Sequence, residues 1–202
     1  IPNAYVMLEN DTNTSGNLVE VLNCTLTLED ITFDGNRYAA AAVGAGAAAA
    51  VIDDPAVTDG MSAAEKANYF VVPDTLKALQ ELAARHRRQL GIPILAITGS
   101  NGKTTTKELI SRTLKRKYRV AVTQGNFNNH IGVPLTLLAM DRSAEFGVVE
   151  MGASHCGEIA LLCSIAQPDF GLITNIGKAH LEGFGGIEGV MRGKGELLDY
   201  LQ

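Results

Sequence analysis

Ile94-Leu95-Ala96-Ile97-Thr98-Gly99-Ser100-Asn101-Gly102-Lys103-Thr104-Thr105-Thr106 is the stretch that decides the fold. Its first five residues show no polar alternation, which predicts a strand buried on both faces, and such strands belong to parallel sheets covered by helices. A tight loop with two glycines follows, then a run that can open a helix. Backbone N–H groups of such a loop and of a helix N-terminus cradle phosphate oxygens, a lysine adds positive charge, and the first threonine hydroxyl can hold Mg²⁺. The spacing departs from the general phosphate loop in one respect. Five positions before Gly102 stands Ile97, and the first glycine is Gly99. Gly99, Ser100, Asn101, Gly102, Lys103, Thr104 and Thr105 are therefore the candidate phosphate-binding residues.

Downstream, apolar runs alternate with helical stretches. The pattern predicts a helix over 103–117, a strand over 120–123, a helix over 133–140, a strand over 146–150, a helix over 158–166, a strand over 170–175 and a helix over 187–201. This is an α/β domain of the phosphate-loop type with a parallel sheet, spanning 91–202. The chain ends at Gln202 with no closing strand, which reads as a truncated domain. Upstream, Pro73-Asp74 opens a strong helix with Asp74 as N-cap and Gly91 as terminator. Its Arg85–Arg88 run reads as a solvated face at the helix C-terminus. Residues 1–90 form a smaller unit. Tyr5–Leu8 and Leu18–Leu22 give weak strand signals, the alanine-rich 37–50 is predicted helical on propensity, and Val51-Ile52 and Tyr69–Val72 read as short strands.

Three strand ends deliver polar groups to one sheet edge, where ligands of open α/β folds collect. The second carries Glu150, either a Mg²⁺ ligand opposite Thr104 or a solvent-facing acid that ends a strand. The third carries Asn175 and His180, and a lone histidine is ordinarily a surface residue. The loop Gln124 to Gly132, with Asn128 and Asn129, is either a tight turn or a source of amide donors. His86, His130 and His155 read as surface or packing residues. By residue type, Lys194 is a solvated helix lysine, and Gly193 and Gly195 beside it stand where helix formers would be expected.

The 202 residues carry 17 Lys+Arg against 22 Asp+Glu, for a net charge of −5. That length supports a buried core, and the acidity disfavours a nucleic acid or anionic membrane as partner. Cys24, Cys156 and Cys163 form no pair motif and read as small core residues in a reducing compartment. The apolar stretch Ala39–Ile52 is too short and too weakly hydrophobic to span a bilayer. The chain is expected to be cytoplasmic.

Gly99 to Thr105, Asn126 to Pro134, Glu150-Met151-Gly152, Ile173 to Ile176, Ala179-His180-Leu181 and Gly193-Lys194 occur in the order found in the Mur ligases of peptidoglycan synthesis, which this chain resembles from about Phe33 onward. Asp34-Gly35-Asn36-Arg37-Tyr38 and the Asn-rich loop running into Ile131-Gly132-Val133-Pro134 resemble the branch that joins D-alanyl-D-alanine to UDP-N-acetylmuramoyl-tripeptide. The resemblance implies a monomeric three-domain enzyme, of which this chain holds the UDP-sugar domain and about half of the ATPase domain. It implies that Lys103 and the loop amides, with Asn128, Asn129 and Asn175, bind ATP. It implies that Thr104 and Glu150 hold one Mg²⁺ and that His180 helps hold a second. Lys194 corresponds to the lysine that the family carbamoylates, which turns a cation into an oxygen ligand. Lys103, His180 and Lys194 are the catalytic candidates. The implied chemistry is phosphorylation of a peptide carboxylate, then attack of an amine on the acyl phosphate. The only run similar to the family's Asp-Ser/Thr-Arg motif, Asp11-Thr12-Asn13, has no arginine. The alternatives are another Mur or folylpolyglutamate-type ligase, which the Asn-rich loop disfavours, and an ATP-binding remnant without catalysis.

Overall fold

A computed structural model of the protein describes residues 5–9, 19–21 and 35–202. Cys24 and Asp11-Thr12-Asn13 lie outside them. The chain divides into two compact units, Ile1–Leu79 and Gln80–Gln202, so the division falls inside helix α3 (Thr75–Leu90).

The first unit holds a four-stranded sheet of β1 (Tyr5–Glu9), β2 (Val19–Val21), β3 (Ala49–Ile52) and β4 (Tyr69–Val71), in the order β2-β1-β3-β4. β1 runs antiparallel to β2 and β3, and β3 is parallel to β4. Here the alanine-rich run departs from its propensity. Helix α1 covers only Ala39–Gly44, the backbone turns at Gly46 with φ of 105°, and Ala49 and Ala50 belong to β3. The reason is tertiary. Ala50 and Ile52 alternate inward along β3 and pack with Ala39 against Val43, Val57 and Tyr69, so sheet pairing overrides helix propensity. The short helix α2 (Ala63–Lys66) completes the unit.

The second unit is a parallel sheet of β5 (Ile94–Thr98), β6 (Val120–Val122), β7 (Phe146–Glu150) and β8 (Phe170–Ile173), in the order β6-β7-β5-β8. The two central strands are almost wholly buried, as their unbroken apolar runs require, while β6 and β8 are only partly covered. The helices are α4 (Lys103–Leu114), α5 (Gly132–Leu138), α6 (Glu158–Ala166), α7 (Leu181–Phe184) and α8 (Ile187–Leu201). The glycines of α8 do not break it. A Cβ on Gly193 would run into the Phe184 ring, and one on Gly189 into the Phe184 carbonyl, so both glycines allow α8 to close on α7. Cys163 is buried, and burial pushes its thiol up to about 12. Cys156 is exposed and is not a core residue.

Asp74 caps α3 as expected, its carboxylate accepting from the Lys77 N–H at 2.9 Å. The arginine run is not uniformly solvated, however. Arg87 is 7% exposed; its Nε donates to the Ala166 carbonyl, and Nη2 donates to the Gln167 carbonyl and to Asp169, each at 2.9 Å. The guanidinium thus satisfies carbonyls at the C-terminal end of α6 that the helix leaves without donors. Arg87→Met should lower the unfolding free energy by about 2–3 kcal/mol, because buried acceptors lose a charged donor. The exposed Arg88→Met should change it by less than about 0.5 kcal/mol. Urea denaturation of the two variants checks this, and equal stabilities would mean that the Arg87 contacts contribute nothing net. Among the described residues no helix is long and apolar enough to cross a membrane.

Candidate functional site

Parallel pairing brings three strand ends to one edge. Ile97 of β5 lies beside Glu150 of β7, and Thr98 lies beside Ile173 of β8. The loops that leave these ends border a cleft of about 450 Å³. Gly99 and Lys103 come from the first loop and the start of α4, Gly152 to Ser154 from the second, and His180 from the third. Asn128, Asn129 and His130 enter from the loop after β6, and Lys194 enters from α8.

The phosphate-type loop turns at Gly99 (φ 138°) and Gly102 (φ 77°) and is tied to the segment after β8. The Ser100 N–H donates to the Asn175 carbonyl at 3.1 Å and the Asn101 N–H to Asn175 Oδ1 at 2.9 Å. Thr174 Oγ1 donates to the Asn101 carbonyl at 2.7 Å, and Ser100 Oγ bonds both the Gly177 N–H and its carbonyl. Ser100, Asn101 and Asn175 therefore spend these groups on building the loop. The N–H groups at the start of α4, from Lys103 on, have no acceptor within their own helix, and these can meet an anion. Lys103 Nζ donates to the Gly99 carbonyl at 2.7 Å and to the Ser100 carbonyl at 3.4 Å, at the mouth of the loop. Thr105 lies away from the cleft, beside Glu108 and Arg112 in a shallower depression that Thr104 also borders.

Glu150 is not a solvent-facing acid, since only 2% of it is exposed. Its Oε1 accepts from Asn128 Nδ2 at 3.0 Å and from Thr104 Oγ1 at 3.3 Å. Its Oε2 is buried without a hydrogen-bond donor and lies 3.5 Å from the ammonium of Lys107. These hard oxygens fit Mg²⁺. Adjacent ligands of an octahedral ion with bonds near 2.1 Å stand about 3 Å apart, close to the Thr104–Glu150 spacing. Among the described residues there is no group of three or more His, Cys, Asp or Glu placed to hold a metal. One carboxylate and a hydroxyl suit an ion that takes its other ligands from phosphate and water.

Lys194 is 2% exposed, which overturns the solvated reading. Burial, helped by the charge of Lys103 and opposed by Glu158 and Glu196, lowers its pKa to about 8. Its Nζ donates to the Ala153 carbonyl at 3.0 Å and lies 5.2 Å from the centre of the Phe184 ring. His180 is exposed, borders the cleft and holds a left-handed backbone (φ 53°) at the start of α7. Asn129 commits its Oδ1 to the Ile131 and Gly132 N–H groups. His130 borders the cleft, and its carbonyl accepts from Gln80. His155 bonds Ser154 Oγ, and His86 bonds the Met140 carbonyl.

Three residues that matter here are not among the candidates that the sequence singles out. Lys107 is one. The others are Glu158 and Glu196, which close the N-terminal end of α6. Glu158 accepts from the N–H groups of Ser154 and His155; burial pushes its carboxyl up, but these amides and the Ser154 hydroxyl outweigh it and lower the pKa. Glu196, two residues beyond Lys194, accepts from the N–H groups of Gly157 and Ala160. Ser154-x-x-x-Glu158 ahead of an apolar run is the visible trace of the first, while Glu196 acts from a separate helix.

Residues 97–202 match the Mur ligase middle domain. The UDP-N-acetylmuramoyl-tripeptide–D-alanyl-D-alanine ligase of Bacillus subtilis is 46% identical over 170 residues, a span covering 84% of this chain and 36% of that protein. The crystal structure of MurF from Acinetobacter baumannii superposes with a TM-score of 0.76 at 38% identity, covering 87% of this chain and 37% of that one. MurF of Thermotoga maritima in complex with ADP gives 0.74 at 37% identity, covering 83% and 38%. The chain thus spans little more than a third of the length of these relatives. With more than half of its residues matched by the middle-domain model, and with the parallel sheet and the loop before α4 in place, the chain belongs to the Mur ligase family.

Proposed function

We propose that this chain is the nucleotide-binding part of an ATP-dependent ligase that joins D-alanyl-D-alanine to UDP-N-acetylmuramoyl-tripeptide, the reaction named for relatives 40–46% identical to it. The observation that carries this reading is the meeting of Lys103, the Thr104–Glu150 pair and a buried Lys194 around one edge of the sheet. Residues 1–90 are the portion that takes the UDP-sugar substrate in this reading.

A peptide carboxylate is a poor electrophile, so a ligase first transfers the γ-phosphoryl group of ATP to it. The amine of the dipeptide then adds to the acyl carbon, and phosphate leaves from the tetrahedral intermediate. Lys103 and the first-turn N–H groups of α4 hold the nucleotide phosphates and offset the charge that builds on them. Thr104 Oγ1 and Glu150 Oε1 hold Mg²⁺, which when bound offsets negative charge on the transferring group. His180 and Lys194 serve a second Mg²⁺. An ammonium is no ligand for a cation, so Lys194 acts as its carbamate: the neutral amine adds CO₂, loses a proton and presents a carboxylate-like oxygen. The lowered pKa supports this, because it leaves part of the lysine neutral near physiological pH.

Lys103→Ala should weaken Mg·ATP binding by about 1.5–3 kcal/mol, the worth of a hydrogen bond from a charged donor. Calorimetric titration of both proteins is the test. Equal affinities would take the loop out of the nucleotide site.

A further inference from the structure

Lys107 is the most deeply buried lysine of the second unit, at 1% exposed, and no step of the reaction above uses it. It stands one turn after Thr104 on α4 and reaches beneath the sheet edge. Its Nζ donates to the Thr123 carbonyl at 2.8 Å, and Thr123 Oγ1 in turn accepts from the Glu150 N–H at 2.9 Å. The same ammonium lies 3.5 Å from Glu150 Oε2 and 3.7 Å from the half-exposed Glu108. The two oxygens of Glu150 therefore have different surroundings. Oε1 meets Thr104 and Asn128, while Oε2 is buried with Lys107 as its counter-charge.

We infer that Lys107 is a positioning residue that sets the metal preference of this site, because it holds Glu150 Oε2 against its ammonium and leaves only Oε1 for a cation. Mg²⁺ is small, demands an octahedron with short bonds and takes a carboxylate through one oxygen. Ca²⁺ takes more ligands at longer range and gains from a carboxylate that offers both. A carboxylate restrained to one oxygen therefore favours Mg²⁺, and one released to rotate loses that preference. The inference rests on the reading that Glu150 is a metal ligand, and it adds what decides which metal.

The test is calorimetric titration of ADP into the chain with Mg²⁺ alone or with Ca²⁺ alone, for wild type, Lys107→Met, Lys107→Gln and Glu150→Ala. In the wild type, Mg²⁺ should strengthen ADP binding about tenfold more than Ca²⁺ does. Lys107→Met removes the charge at similar volume and should narrow that ratio by about threefold or more, with the gain on the Ca²⁺ side. Lys107→Gln keeps a donor for the Thr123 carbonyl and should do the same where the methionine variant folds poorly. A general loss of packing would weaken both metals together and leave their ratio unmoved. An unchanged ratio in either folded variant, or parity of the two metals in the wild type, overturns the inference. If Glu150→Ala abolishes the metal effect while the Lys107 variants keep the ratio, the inference fails and Glu150 stays a ligand. If Glu150→Ala leaves the Mg²⁺ effect intact, the reading of Glu150 fails and the inference falls with it.

Discussion

In a complete ligase carrying this segment, Lys194→Ala should abolish ligation, and added short carboxylates should partly restore it. The expectation follows from where the lysine stands. Buried on α8 and bordering the cleft that Lys103 also borders, it would add a second positive charge near a group that must receive phosphates and metal, unless it is modified. As a carbamate it supplies an anionic oxygen, which a small carboxylate can imitate and an amine cannot. Restoration by amines alone, or undiminished activity of Lys194→Ala, would sink the carbamate reading and spare the nucleotide site. Carbamate formation also has a predictable pH dependence. The neutral amine becomes the main form only above the pKa of about 8, so a ¹³C carbamate signal from labelled bicarbonate should strengthen as pH rises from 7 towards 8.5 and fade in acid. For the unmodified chain the linkage has the same sign. The folded pKa lies below the ordinary 10.5, so between these values the unfolded chain holds more protons and stability rises with pH.

Gly99→Ala should lower ADP affinity by about a hundredfold, roughly 2.7 kcal/mol, and destabilise the chain as well. A Cβ at this position would collide with Thr174 Oγ1 and stand 3.1 Å from the backbone nitrogens of Thr174 and Asn175. Neither neighbour can yield easily. The Thr174 N–H donates to the Thr98 carbonyl at 2.9 Å, and the Asn175 carbonyl holds the Ser100 N–H. The φ of 138° is a further cost for any residue with a side chain. Gly102→Ala is the control: its φ of 77° is also unfavourable, but nothing lies within 4 Å of the added carbon. It should cost about 1 kcal/mol in stability and much less in affinity. Titration of ADP and urea denaturation separate the two, and a Gly99→Ala chain with wild-type affinity would show that the anchoring of the loop to β8 is immaterial to binding.

What the sequence disclosed was governed by short-range pattern. Phe146–Glu150, Glu158–Ala166 and Ile187–Leu201 are legible to the residue, because a doubly covered strand, a largely apolar helix and an amphipathic one leave uninterrupted marks. Ser62-Ala63-Ala64-Glu65 spells the capping box that opens α2, a short-range signal of the same kind. The alanine run misled because its helix propensity is a local property, whereas β3 is held by partners far along the chain. Arg87 and Lys107 were illegible for the same reason. A cation in a polar helix looks solvated until the fold supplies acceptors, here the last carbonyls of α6 and the pair Thr123 and Glu150. The candidate residues around the cleft came from strand ends, yet the division of labour among them did not. Only the geometry separates the amides that tie the loop to β8 from those of α4 that can meet a phosphate.

The cleft is bordered by the beginnings of two helices, α4 and α6, and they differ in electrical character. The positive end of α6 is already answered by the chain's own carboxylates, Glu158 on the Ser154 and His155 amides and Glu196 on those of Gly157 and Ala160. The positive end of α4 has Lys103 beside it and no acid in its first turn. A polyanion drifting into the cleft finds amides of α6 already taken by carboxylates, and finds a lysine and open first-turn amides at α4, which favours the α4 side. The site is polarised like a plug and socket: the phosphate tail is steered to the α4 side, while on the α6 side the charges of Glu158 and Glu196 face that of Lys194.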